Sequence, residues 1–274
     1  MTETDERMIR VMNWKKPKKW ISAMAVMVCV ILLSGCAANP KLRKPDVALM
    51  EFPGVRWNAS PEEVVKALGF TEDQILENAM EIPGEDQEKT EYDVWNLTVT
   101  DWEFMDSSVI SGHFLFIRYP GDHFGLTRVQ LYLEEDADMN ALRTRMTEVY
   151  DEGTPDPAPD YVFVNGRLES KELNVERTED GFPHFWYSTV TGTEVLSAEA
   201  IERYVEYAAN SDAAVGRDAA LAYLNAVPMV SVSCSNRNLA ADLLEKSDTS
   251  GSCVTRNTVI FAADQMIHYL QRFE

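Results

Sequence analysis

The residues of this 274-residue chain that could do chemistry are four histidines, four cysteines, a scatter of serines and 45 carboxylates. His113, His123, His184 and His268 stand far apart, and none belongs to a His-Glu-x-x-His pair that would set two imidazoles on one helical face around zinc. Ser231, Ser233 and Ser235 alternate without the strained Gly-x-Ser-x-Gly turn that presents a nucleophile. With so many carboxylates, some pair always falls at glycosidase distance, so that spacing discriminates nothing. Glu134-Glu135-Asp136-Ala137-Asp138 and Asp156-Pro157-Ala158-Pro159-Asp160 offer oxygen ligands for calcium, but neither has the spaced Asp/Asn and Gly of an EF-hand loop, and solvated turns are expected there. No catalytic residue, metal or cofactor is assigned, and the chain is read as non-enzymatic. The aromatics are more promising. Trp102 and Phe104 lie on the opposite strand phase from Trp95, Leu97 and Val99. Either a bulge near Asp101 shifts that phase, or the two rings stand on the polar side of a sheet as a partner-binding face.

The cysteines sort by position. Cys29 lies inside Ile21–Leu33, an uncharged apolar run of 13 residues preceded by Lys15-Lys16-Pro17-Lys18-Lys19. A membrane-crossing helix needs about 20 apolar residues, so this run suits the apolar part of an export signal. It ends at Leu33-Ser34-Gly35-Cys36, which resembles the lipobox of bacterial lipoproteins at every position. The resemblance implies cleavage of residues 1–35, diacylglycerol on the Cys36 thiol, and attachment to the cell membrane facing away from the cytoplasm. Two chains on one cysteine would anchor firmly, at about 0.8 kcal/mol per buried methylene. Cys234 and Cys253 are then the other cysteines of the exported chain. In an oxidising compartment they most simply form a disulfide, worth about 3 kcal/mol for a loop of that length. Two free thiols, or half a metal site with His268 at an unfamiliar spacing, are the alternatives.

The charge is uneven. Residues 1–35 hold six basic and three acidic groups, which leaves 19 basic and 42 acidic groups from Cys36 onward, a net charge of −23. A body so acidic repels phosphate backbones, which excludes nucleic-acid binding. Residues 36–53, with Pro40, Pro45 and Pro53 and the basic trio Lys41, Arg43 and Lys44, are expected to be a flexible tether that hugs anionic lipid while the acidic body is held off.

Positioning elements can be read from periodicity. Ser60-Pro61-Glu62-Glu63 is a capped helix start with Gly69 as its stop. A second short helix is predicted over 72–80 from Ile75, Leu76 and Ala79. Strands are predicted around Trp95–Val99, His113–Tyr119 (apolar on both faces) and Val129–Leu133. A helix carrying Leu142, Met146 and Val149 follows, then strands at Tyr161–Val164 and His184–Val190 and a helix capped by Ser197. From Asn210 the pattern reads as helical, with a last helix from Asn257 through Val259, Ile260, Ala263, Met266, Ile267 and Leu270. The expected architecture is α+β: an export signal (1–35), a tether (36–53), a domain (54–209) of helices on an antiparallel sheet of three to five strands, and a helical segment (210–274) clipped by the disulfide.

Gly54-Val55-Arg56-Trp57, the capped helix with Leu68-Gly69, the strand meander and Val149-Tyr150-Asp151-Glu152-Gly153-Thr154-Pro155 are together similar to small envelope domains of the β-lactamase-inhibitor-protein type and to outer-membrane assembly lipoproteins. The insert at 165–183 departs from their compact pattern. The resemblance implies a module that binds an envelope protein or a peptide; a solute- or glycan-binding accessory lipoprotein is the alternative.

Overall fold

A computed structural model describes residues 43–81, 91–120, 123–153, 160–165, 167–171, 178–211, 214–237 and 256–274. The export signal, Cys36, Cys253 and the stretch 238–255, expected to be helical, lie outside the described residues.

The fold is α+β around one large antiparallel sheet. Its strands are β1 (Ile75–Met80), β2 (Asp93–Val99), β3 (Trp102–Phe104), β4 (Ser107–Arg118), β5 (Gly125–Leu133), β8 (His184–Tyr187), β9 (Ser231–Ser235) and β10 (Asn257–Ala262). They run in the order β1-β2-β4-β5-β10-β9-β8, with β3 pairing β4. The sheet thus has eight strands where three to five were expected. β6 (Asp160–Val164) and β7 (Arg167–Lys171) form a separate hairpin within the insert. The helices are α1 (Pro61–Leu68), α2 (Met139–Tyr150), the single turn α3 (Gly192–Val195), α4 (Ala198–Asn210), α5 (Arg217–Ala226) and α6 (Asp264–Phe273).

Locally encoded elements stand where the sequence places them. Ser60 Oγ accepts from Glu63 N (3.3 Å) and Glu63 returns a carboxylate to Ser60 N (2.9 Å), closing the capping box of α1. Gly69 ends that helix in the left-handed region at φ 70°. Asp138 caps α2 and Ser197 caps α4.

Three expectations need correcting. Residues 75–80 form an edge strand, not a helix: Glu77 to Met80 pair with Thr98 to Trp95 across a bulge at Leu76. Residues 257–262 also form a strand, β10, set between β5 and β9, with Asn257, Val259 and Phe261 buried in alternation. The helical stripe read from Asn257 begins in fact only beyond Ala263. The expected tail therefore contributes two inner strands, and the sheet runs unbroken across position 209/210. Cys234, on β9, is a fully buried free thiol, and no disulfide to Cys253 is found.

The tether is shorter than expected too. Arg43 pairs with Glu51 (2.9 Å) and its carbonyl accepts from Gly54 N (3.1 Å). Beyond it Met50, Phe52, Val55 and Trp57 are all buried.

The core lies on one side of the sheet. Leu97, Phe114, Val129, Phe261, Val232 and Trp186 are register partners on six successive strands, and none is more than 1% exposed. Burying a side chain of this kind contributes about 1.5–3 kcal/mol. Phe52 lies over this row with ring centroids 5.8 Å from Phe114 and 5.1 Å from Phe261, and Leu142 and Met146 of α2 complete the cover. A second cluster joins α4, α5 and Phe273 of α6 through Leu196, Ala200, Tyr204, Val205 and Leu224. Met266 and Ile267 of the same α6 belong to the sheet core, so this one helix ties the two clusters together.

Candidate functional site

Strand alternation sends every second side chain away from the packed core. Glu77, Thr98, His113, Gln130, Ile260, Ser233 and Phe185 are register partners across seven strands, one position out of phase with the buried row. Beside them run Ala79, Asn96, Leu115, Arg128, Ala262, Ser231 and Tyr187. This second face is polar to half-buried, and a cleft of about 320 Å³ opens on it between β1 and β5, lined by Glu77, Asn96, Thr98, His113, Arg128, Gln130 and Tyr132 among others.

Within the cleft the polar groups form an ordered chain. Thr98 Oγ1 donates to Glu77 Oε2 (3.3 Å) and lies 3.4 Å from His113 Nδ1, while Ser111 Oγ lies 2.8 Å from His113 Nε2. A threonine hydroxyl has one proton, and Glu77 takes it. The Thr98 oxygen must therefore accept from Nδ1–H, which leaves Nε2 to accept from Ser111. That assignment requires a neutral imidazole. Desolvation holds His113 below the usual imidazole pKa, against the nearby Glu77 carboxylate, which pulls it up. Tyr132 stands edge-on to the His113 ring at 5.4 Å, and its hydroxyl accepts from Gln130 Nε2 (2.7 Å). Arg128 is neutralised by Asp264 through Nη2 (2.7 Å) and Nε (3.1 Å). Among the described residues, Glu77 is left as the carboxylate whose charge no cation in the cleft offsets.

The arrangement has a serine on a histidine with a carboxylate behind, yet Ser111 stands on a strand rather than on the sharp turn that thrusts a nucleophile toward an acyl group. What the cleft offers, among the described residues, is a wall of donors and acceptors with one uncompensated negative charge.

The site foreseen at Trp102 and Phe104 is not an exposed face. The chain turns at Asp101 (φ 55°), which resets the strand phase and directs Phe104 into the core. Phe104 is 4% exposed and stacks on Phe52 at 5.4 Å. Trp102 is half-buried among Phe52, Phe70 and Phe114, and its buried Nε1 has no hydrogen-bond partner. Gly112 makes room for it: a Cβ there would lie 3.1 Å from Trp102 Cζ2 and 3.3 Å from Val99 Cγ2. The acidic loop after β5 is already committed, since Glu135 pairs with Arg237, Asp138 caps α2, and the Glu134 carbonyl accepts from Asn257 Nδ2 (2.9 Å). Among the described residues no group of three or more His, Cys, Asp or Glu side chains could hold a metal ion, and no helix is long and apolar enough to cross a membrane.

In the sequence His113 only opens a strand apolar on both faces, and the segment of Glu77 reads as helix. Their meeting depends on strand register between distant segments, which no local pattern carries. No family model, curated protein or solved structure matches the chain.

Proposed function

We propose that the chain is a lipid-anchored, non-enzymatic protein of the cell envelope, held through Cys36 and facing away from the cytoplasm, that binds a protein or peptide partner on the open face of its sheet. The observation that supports this most is the division of the sheet: one face is packed from β2 to β8, while the other carries a hydrogen-bonding cleft around His113 in which no cation among the described residues offsets Glu77. Glu77, together with the charge of −23 after Cys36, favours a basic or donor-rich partner segment. The exposed edge strand β1 adds apolar surface beside the same cleft at its bulge, where Leu76 is 68% exposed.

The test is a photo-crosslinking residue at Gln130 or at Asn96 in intact cells. One discrete adduct expected at these positions, and not at Glu199 on α4, supports the reading. No adduct at either cleft position, with a discrete one at Glu199, would move the binding face elsewhere. The cleft volume also falls at the lower end of the range that small ligands occupy, about 300–1,000 Å³. That observation favours a second reading, a solute- or glycan-binding accessory lipoprotein. Calorimetric binding of a small polar solute, lost in His113→Ala, would select it over the first.

A further inference from the structure

The distance between the lipid and the folded body is set by very few residues. Only six, 37–42, separate Cys36 from Arg43, which is already fixed through Glu51 and Gly54. An extended chain advances at most about 3.3–3.6 Å per residue, so the step from Cys36 to Arg43 spans no more than about 25 Å. A body of this size is roughly 45 Å across, from a radius of gyration of about 17 Å. A lipid on Cys36 would therefore hold the body by a leash shorter than its own diameter, with the Arg43 side turned toward the bilayer.

That side has the chemistry for it. A cleft of about 440 Å³ is lined by Arg43, Val55, Arg56, Trp57, Glu63 and Ala67 among others. Lys44, Arg56 and the neighbouring Lys66 of α1 are exposed and make no ion pair among the described residues; Arg118, Arg128, Arg217, Arg237 and Arg272 are matched with carboxylates, while Arg167 and Lys171 on the separate hairpin are exposed and unpaired as well. The four carboxylates of the same stretch, Asp46, Glu51, Glu62 and Glu63, equal its four basic groups, Arg43, Lys44, Arg56 and Lys66, in number, so this side is close to neutral where the rest of the body is acidic. Glu62 is exposed. The rest of the body is strongly acidic and is repelled by an anionic surface, which turns the same side inward.

We infer that the surface around Lys44, Arg56 and Lys66 docks on the anionic headgroups of the membrane that holds the lipid. This docking rests on the reading of Cys36 as the lipidated residue. It replaces the expectation of a body held clear of the membrane, and it leaves the opposite end of the molecule outward. Asn58 and Ala59 at the cleft bond to Leu126 at the start of β5, and Glu135 lies beyond the other end of that strand, which runs about 27 Å from Gly125 to Leu133 at about 3.4 Å per residue.

The test uses the lipidated full chain, in a Cys253→Ser background, reconstituted in phosphatidylcholine vesicles with or without phosphatidylglycerol. A fluorophore is placed through Lys66→Cys or Glu135→Cys, and a lipid-borne quencher reports proximity. The Lys66 position is expected to be quenched several-fold more than Glu135 in the anionic vesicles. Lys44→Glu with Arg56→Glu should abolish that difference while the protein stays bound, since each basic group near such a surface is worth about fivefold in affinity. Equal quenching at the two positions in anchored, unsubstituted protein overturns the docking alone. If Cys36→Ser fails to release the protein from membranes, the anchor reading fails and the docking falls with it.

Discussion

Phe52 decides whether residues 43–53 are tether or body. In sequence it lies between a proline-rich stretch and Pro53-Gly54. In the structure it is 1% exposed and touches four rings: Phe104 stacked at 5.4 Å, Phe114 and Phe261 edge-on, and Trp102 tilted at 6.4 Å. Phe52→Ala removes a phenyl group from the centre of this cluster. The surrounding rings sit on three strands and relax only partly, so transfer and cavity terms together cost about 3–5 kcal/mol. Each lost aromatic pair would add to that, since such pairs are worth about 0.5–1.5 kcal/mol beyond area. Lys44→Ala, on an exposed side chain of the same segment, should stay within about 0.5 kcal/mol. Urea unfolding of the chain beginning at Ala37, with m-values compared so that only the midpoint is read as stability, measures both. A Phe52→Ala loss below about 1 kcal/mol would mean that the ring is not a core residue, and the packing described for residues 43–57 would be wrong.

Two further outcomes follow from buried titratable groups. Burial lowers His113 and His268 below the usual 6.5 and raises Tyr119, Tyr150, Tyr204 and Tyr269 above 10.0. Stability from the histidines is therefore present above pH 6.5 and lost as pH falls through their lower folded values; stability from the phenols is full below pH 10.0 and lost as pH rises beyond it. Urea midpoints against pH should show a plateau between these limbs, with His113→Gln shrinking the acid one; an alkaline limb starting well below the tyrosine range would contradict the burial of the phenols. Burial likewise pushes the Cys234 thiol up to about 12. A maleimide should leave it untouched in the native protein and modify it on unfolding without reductant, and mass mapping that instead finds Cys234 joined to Cys253 would restore the disulfide.

What the sequence revealed and what it hid follow the range of the interactions. The capping box at Ser60 and Glu63 spans three residues, and its bonds form as the spacing predicts. The alternation of Val129, Leu131 and Leu133 is equally plain, because this half of β5 buries only every second residue. Residues 75–80 and 257–262 misled because short apolar segments fit both periods: Ile75, Leu76 and Ala79 lie at helical spacing, and Val259 and Ile260 continue smoothly into the true stripe of α6. What made each a strand was a partner far away in sequence, Trp95–Val99 for one and Leu133–Arg128 for the other. Tertiary pairing overrode a local pattern that was ambiguous from the start.

The cleft was hidden for the same reason, and its chemistry shows why a motif search fails here. Glu77, Thr98, His113 and Gln130 come from four strands, and register alone sets them in line. A one-residue slip of β1 against β2 would turn Glu77 toward the core side and take the carboxylate from the chain that ends on His113. The bulge at Leu76 belongs to this geometry: Ile75 pairs with Val99 and Glu77 with Thr98, so the extra residue switches Glu77 onto the open face, where Thr98 Oγ1 meets it at 3.3 Å. Leu76 is left 68% exposed by the same irregularity. The most exposed large apolar side chain of the described residues and the uncompensated charge of the cleft thus have one structural cause, and a partner engaging the face would meet both at once.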